Sequence, residues 1–297
     1  VREICYGKHG SSMRPERILI DVPTLASRLN GERCVAIDCR SELANIDAGR
    51  QLYAKGHIPG AVFLDLDRDL AGPVHATSGR HPLPAVDQIN TTLVKSGIGQ
   101  ADSLVVYDGG NGSLAARAWW ILRWLGLESV RLLDGGFAQW KALGLPIDVN
   151  EPRREPAAFT GKPNDSLVLT TEELAAGLSS VRDHKLLDAR DRQRFLGEHE
   201  PIDPVAGHIP GAVNAPFGDF VTKDGTWRPL AERTALLEAV LGSDREAVWS
   251  VMCGSGVTAC HLAISGLEAG FREPRLYVGS WSEWIRDPER PIGTGEA

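Results

Sequence analysis

Gly56-His57-Ile58-Pro59-Gly60-Ala61-Val62 recurs without change as Gly207-His208-Ile209-Pro210-Gly211-Ala212-Val213. An apolar run ending in an acid precedes each copy: Val35-Ala36-Ile37-Asp38-Cys39-Arg40 before the first, Leu186-Leu187-Asp188-Ala189-Arg190 before the second. Further on, Leu133-Asp134-Gly135-Gly136-Phe137-Ala138-Gln139-Trp140 matches Tyr277-Val278-Gly279-Ser280-Trp281-Ser282-Glu283-Trp284. Three matched segments in one order imply a duplicated domain. Within each copy, short β-branched runs such as Ser103–Tyr107 and Ala247–Met252 alternate with helical patterns such as Ala85–Ser96 and Leu230–Leu241. That alternation predicts an α/β fold, each domain a mainly parallel sheet flanked by helices. Leu145 to Pro163 carries Pro146, Pro152, Pro156 and Pro163 among charges, as an extended linker does. The expected layout is a first domain over 14–146, a linker over 147–164 and a second domain over 165–292.

The 297 residues are 42% hydrophobic and 24% charged, with 32 Gly and 18 Pro, the balance of a soluble globular chain. No apolar run approaches the roughly 20 residues that cross a bilayer. A net charge of −7 argues against a nucleic-acid or anionic-membrane surface. Five cysteines are too few for a disulfide scaffold, and they lack the paired C-x2-C spacing of structural zinc. A reducing, cytoplasmic setting without metal or cofactor is therefore expected. Val1 to Ser12 has no apolar secretory core, and Met13 reads as a native start, so Cys5 is set aside with that segment.

The chemistry is concentrated in one loop. Val248-Trp249-Ser250-Val251-Met252 runs into Cys253-Gly254-Ser255-Gly256-Val257-Thr258, and a helix begins at Ala259-Cys260-His261-Leu262. Small residues let such a loop curl so that successive N–H groups converge on one atom, and the helix N-terminus adds its dipole. An anion at Cys253 is then expected to be stabilised without any nearby cationic side chain, and thiolate is the nucleophilic form of cysteine. In the first copy, Val105-Val106-Tyr107 leads instead to Asp108-Gly109-Gly110-Asn111-Gly112, which has no sulfur at the matching position. Asp108 is read as a cap or loop ligand rather than a catalytic acid.

Two GHIPGA-bearing copies and a C-terminal strand, Cys loop and helix containing Gly256-Val257-Thr258-Ala259-Cys260 resemble the tandem rhodanese-type sulfurtransferases, from about Arg17 to Pro291. The loop Cys-Gly-Ser-Gly-Val-Thr is most similar to the 3-mercaptopyruvate branch; the thiosulfate branch usually has Arg-Lys where this chain has Gly254-Ser255. The resemblance implies an inactive first domain, a Cys253 persulfide, and donor contacts from Gly254, Gly256, Val257 and Thr258. It implies a small sulfur donor, mercaptopyruvate or alternatively thiosulfate, and a thiol acceptor such as thioredoxin.

Between GHIPGA and loop the first copy is longer, 51 residues from His57 to Asp108 against 45 from His208 to Cys253. The extra length falls near Arg68 to Pro82 and contains His75 and His81. By resemblance, Ser255 works with His81 and Asp67 from this segment. An imidazole relays protons near neutral pH, and a carboxylate fixes its tautomer. Arg194 matches a family arginine that anchors the donor's carboxylate. A second arginine usually follows Glu-Pro, but here Glu200-Pro201 precedes Ile202; Arg190 and Arg192 are nearby substitutes, or else solvated charges.

Other repeated residues have simpler readings. His57 and His208 occur in both copies and belong to architecture; Cys260 is a packing residue, as are Trp119, Trp120 and Trp124. A redox pair of Cys34 and Cys39 is the less favoured reading of those two. Two rival functions remain. A dual-specificity phosphatase of this fold needs a Cys-x5-Arg loop, and the sixth residue after Cys253 is Ala259. A non-catalytic sulfur-carrier module is disfavoured by Ser255 beside an intact Cys loop.

Overall fold

The computed structural model describes residues 17–30, 33–42, 45–177 and 184–296, so Cys5 and Met13 lie outside it. The first domain runs β1 (Leu19–Ile20), α1 (Val22–Leu29), β2 (Cys34–Asp38), α2 (Ala48–Lys55), β3 (Val62–Phe63), α3 (Val86–Lys95), β4 (Ser103–Tyr107), α4 (Ser113–Trp124), β5 (Val130–Leu133) and α5 (Gly136–Ala142). The second repeats the plan with β6 (Val168–Leu169), α6 (Thr171–Gly177), β7 (Lys185–Asp188), α7 (Arg192–Leu196), β8 (Ala212–Asn214), α8 (Leu230–Leu241), β9 (Trp249–Met252), α9 (Ala259–Glu268), β10 (Arg275–Tyr277) and α10 (Ser280–Trp284). Among the described residues each domain has one five-stranded parallel sheet, ordered β1-β5-β4-β2-β3 and β6-β10-β9-β7-β8. The expected α/β duplication is what forms. The second central strand starts at Trp249 rather than Ala247, because Val248 is exposed and cannot anchor a buried strand.

The three repeated segments meet in one knot per domain. Asp38, at the end of β2, pairs with Arg40, whose Nη2 donates to the carbonyl of Gly56 at 2.7 Å. The Arg40 guanidinium lies 4.1 Å above Phe137. Asp188, Arg190, Gly207 and Trp281 repeat this, with Nη2 to Gly207 O at 2.7 Å and the guanidinium 4.5 Å from the indole. Both pairs are buried, so each charge is retained only because its partner and the carbonyl satisfy it. His57 and His208 complete the knots, stacking on Tyr53 and Phe195 at 3.9 Å and hydrogen-bonding carbonyls through Nδ1. Their architectural reading holds.

The loop between the domains is a strap rather than a free spacer. Ala157 N donates to Val94 O, Gly161 N to Asn90 Oδ1, and Asn164 N to Trp124 O, while Phe159 enters the core. The domains also share that core. α4 and α9, both lying between the sheets, bury Trp119, Trp120 and Trp124 with Leu262, Ala263 and Ile264 in one apolar cluster. The geometric result is that the C-terminal ends of β4 and β9, with their loops, are held at fixed positions along one seam.

Candidate active site

The two loops differ in what fills them. Asp108 turns its carboxylate into its own loop, Oδ1 accepting from Gly110 N at 2.9 Å and Gly112 N at 3.0 Å. Its Oδ2 accepts from Leu114 N at 3.0 Å and Ala115 N at 3.3 Å. The expectation of a loop ligand is met: the side chain is a built-in anion in an amide nest. At the matching point of the second domain stands Cys253, 2% exposed at the end of β9.

The Cys253 loop is held from behind and below. Cys253 N donates to Ser280 Oγ at 3.1 Å, and the carbonyls of Cys253 and Gly254 accept from Trp281 N and Ser282 N. Gly256 adopts φ +75°, and a Cβ there would stand 2.6 Å from Val278 O, so the loop requires glycine on both counts. Val257 is buried, and its carbonyl and that of Thr258 accept from Cys260 N and His261 N as α9 begins. From the first domain, the fully buried Arg117 donates to Gly256 O at 3.1 Å and His81 O at 3.0 Å. One side chain of α4 thus ties the Cys253 loop to the His81 segment.

The inserted stretch of the first domain reaches across the seam. Gly79 N donates to Glu283 Oε2 and Arg80 N to Ser282 Oγ, seating this segment against α10. His81 then places Nδ1 2.8 Å from Ser255 Oγ and Nε2 3.4 Å from Asp67 Oδ1. Asp67 is presented by a turn in which Asp65 Oδ1 accepts from Asp67 N and Arg68 N. Hydrogen bonding to His81 holds the Asp67 carboxyl below the ordinary range, although partial burial opposes it. Three residues separated by up to 188 positions therefore form one chain of polar contacts ending at the Cys253 loop. His75 is on an exposed turn.

Arg194 reaches the same rim, with Nε 2.9 Å from both Glu200 oxygens and Nη2 3.0 Å from Asp203 Oδ2. Neither suggested substitute for a second arginine serves. Arg190 is held by the buried knot, with its Nη1 also buried 3.6 Å from Glu200 Oε2, and Arg192 pairs with Glu296 on the surface. The sequence reading of a cation-free cysteine environment needs correcting: a Cβ on Gly254 would stand 2.8 Å from Arg80 Nη2 and 3.3 Å from Arg194 Nη2. The loop has no cation of its own, but its missing side chain admits two from outside. Arg80 was missed because only its neighbour His81 carried a motif.

Two other thiols, Cys260 and Cys39, are poor nucleophiles. Burial pushes the Cys260 thiol up to about 12, and its Sγ lies 3.4 Å from Gly256 O. Burial also pushes Cys39 well above the usual thiol range. Cys34, Cys39, Cys253 and Cys260 are free of disulfides.

The Rhodanese-like domain family matches residues 21–143 and 170–287, one match for each copy. This chain belongs to the rhodanese family of sulfurtransferases. A relative from Pseudomonas aeruginosa, named a probable 3-mercaptopyruvate sulfurtransferase, is 46% identical over 280 residues, 94% of this chain and 98% of its own length. A mouse thiosulfate sulfurtransferase is 36% identical over 261 residues, 84% of each chain. The crystal structure of SseA from Escherichia coli, titled as a 3-mercaptopyruvate sulfotransferase with the rhodanese fold, superposes with a TM-score of 0.78 at 30% identity, covering 90% of this chain and all of SseA. This rhodanese contains no helix long and apolar enough to cross a membrane among its described residues.

Proposed function

We propose that this rhodanese takes sulfur from 3-mercaptopyruvate onto Cys253, releases pyruvate, and passes the sulfur to a thiol acceptor such as thioredoxin or to cyanide. The observation that carries this reading is the 2.8 Å contact between His81 Nδ1 and Ser255 Oγ beside Cys253, with Asp67 behind the ring. In the neutral imidazole a proton on Nε2 faces Asp67, leaving Nδ1 to accept from the Ser255 hydroxyl.

The Cys253 thiolate attacks the donor's thiol sulfur, forming an S–S bond as the carbon–sulfur bond breaks. The electron pair of that bond passes to the donor's methylene carbon as an enolate. Ser255 and His81 take the donor's S–H proton and return it to that carbon, giving pyruvate and a persulfide anion on Cys253. An acceptor thiol or cyanide then attacks the outer sulfur, and the Cys253 thiolate leaves. Backbone amides of the corresponding loop hold the Asp108 carboxylate in the first domain, and a loop of the same kind around Cys253 supports stabilisation of the persulfide charge. Thr258 opens α9 and adds the helix N-terminus. The free thiols favour a reducing, cytoplasmic setting.

Thiosulfate is the second reading, favoured by the two guanidinium groups above Gly254. Against it, Glu200 and Asp203 stand buried behind those arginines and cancel their charge. Mass spectrometry after mercaptopyruvate treatment tests the proposal: one added sulfur is expected on Cys253, with pyruvate released in equal amount. Sulfur on Cys260 or Cys39 instead, or loading without pyruvate, would sink it.

A further inference from the structure

Two guanidinium groups converge on the open side of Gly254, and they come from different domains. Arg194 rises from α7, and its Nη2 donates to Asp203 Oδ2 at 3.0 Å. Arg80 arrives from the inserted segment of the first domain and pairs through Nη1 with Asp203 Oδ1. One carboxylate, only 3% exposed, therefore holds both forks side by side. The backbone of Arg80 is fixed as well, because its N–H donates to Ser282 Oγ in the corner that also supports the Cys253 loop.

On the reading of a keto-acid donor given above, we propose that Arg80 and Arg194, bridged by Asp203, form a composite clamp over Gly254 for the donor's carboxylate. Arg80 replaces the second arginine that Glu200-Pro201-Ile202 lacks, and it does so from the other domain. The geometry suits that role. Arg80 Nη2 and both outer nitrogens of Arg194 lie within 4 Å of the point where a Gly254 Cβ would be, next to the reacting cysteine. Among the described residues no protein acceptor pairs with Arg80 Nη2 or Arg194 Nη1, so one N–H group from each domain is available to a carboxylate. Burial lowers the Arg80 pKa and the neighbouring Arg194 adds to that, yet a guanidinium remains charged.

Charge sets the selectivity of the clamp. Arg80 and Arg194 are balanced by Glu200 and Asp203, whose side chains are each 3% exposed. The rim thus offers directed N–H donors without surplus positive charge. A monoanion gains charge-assisted hydrogen bonds there. A dianion such as thiosulfate must bring its second charge close to two buried carboxylates, which disfavours it.

Steady-state kinetics on the full chain test the clamp, using mercaptopyruvate and thiosulfate as donors and pyruvate as product inhibitor. Arg80→Met is expected to raise the KM for mercaptopyruvate and the Ki for pyruvate at least tenfold, with kcat changed less than threefold. Arg80→Lys keeps the pair with Asp203 but loses the fork, so the same constants should rise several-fold in a protein that folds normally. Asp203→Asn should shift the ratio of kcat/KM values towards thiosulfate by tenfold or more. Unchanged KM and Ki in both Arg80 variants would overturn the clamp while leaving mercaptopyruvate as the donor. Wild-type enzyme that failed to turn over mercaptopyruvate would remove the donor reading itself, and the clamp with it.

Discussion

Replacing His261 with Phe should abolish a pH dependence of folding that the wild-type chain cannot avoid. His261 is fully buried in the first turn of α9, stacked on Trp227 at 3.4 Å with the rings 8° from parallel. Phe217 and Phe220 present their edges to it, and neither ring nitrogen has a hydrogen-bond partner of ordinary geometry. Burial, helped by the charge of Arg233 and opposed only weakly by the Asn111 backbone, lowers its pKa from 6.5 to about 3. Above pH 6.5 the ring is neutral in both folded and unfolded chains, so it contributes no pH dependence. Below that, the unfolded chain binds a proton that the folded chain refuses, and stability falls until the pH reaches about 3. At about 1.4 kcal/mol per pH unit, the loss is roughly 2 kcal/mol on going from pH 7.5 to 5.0. Phe retains a stacked ring with nothing to titrate. Urea unfolding followed by tryptophan fluorescence at the two pH values should show the wild type losing about 2 kcal/mol more than His261→Phe. Equal losses would refute the reasoning, since they would mean that the imidazole is protonated in place or reached by water.

Two further outcomes follow from the loops. His81→Ala and Ser255→Ala should each lower kcat for mercaptopyruvate by about a hundredfold with little change in KM, as expected for a proton relay; stopped-flow pyruvate release measures it, and an unaltered kcat would remove the relay. Asp108→Asn turns an amide NH2 towards two of the four N–H groups that the carboxylate satisfies; at about 1.5–3 kcal/mol for each charge-assisted bond lost, stability should drop by roughly 3–6 kcal/mol, and a loss under about 1 kcal/mol in urea unfolding would contradict the nest.

The linear chain already contained the duplication, because the knot of strand-end acid, arginine, glycine turn and aromatic ring needs all its members in each copy. Asp38, Arg40, Gly56 and Phe137 and their counterparts Asp188, Arg190, Gly207 and Trp281 are legible as repeats for that reason. The Cys253 loop was legible too, since curling a backbone around one atom demands small residues in an unbroken run. Asp67, His81 and Ser255 could be matched only through resemblance, as no local pattern links a residue in one domain to one in the other. The structure brings them together because the inserted segment seats Gly79 and Arg80 on the α10 corner. Of the cations around Cys253, only Arg194 could be matched, again through resemblance. Arg117 and Arg80 look like ordinary basic residues until α4 and α9 share a core and the seam closes, which carries both guanidinium groups to the loop that Gly254 leaves open. Local backbone geometry was written in the residue types, whereas the electrostatics of the cysteine came from side chains that only tertiary packing could deliver.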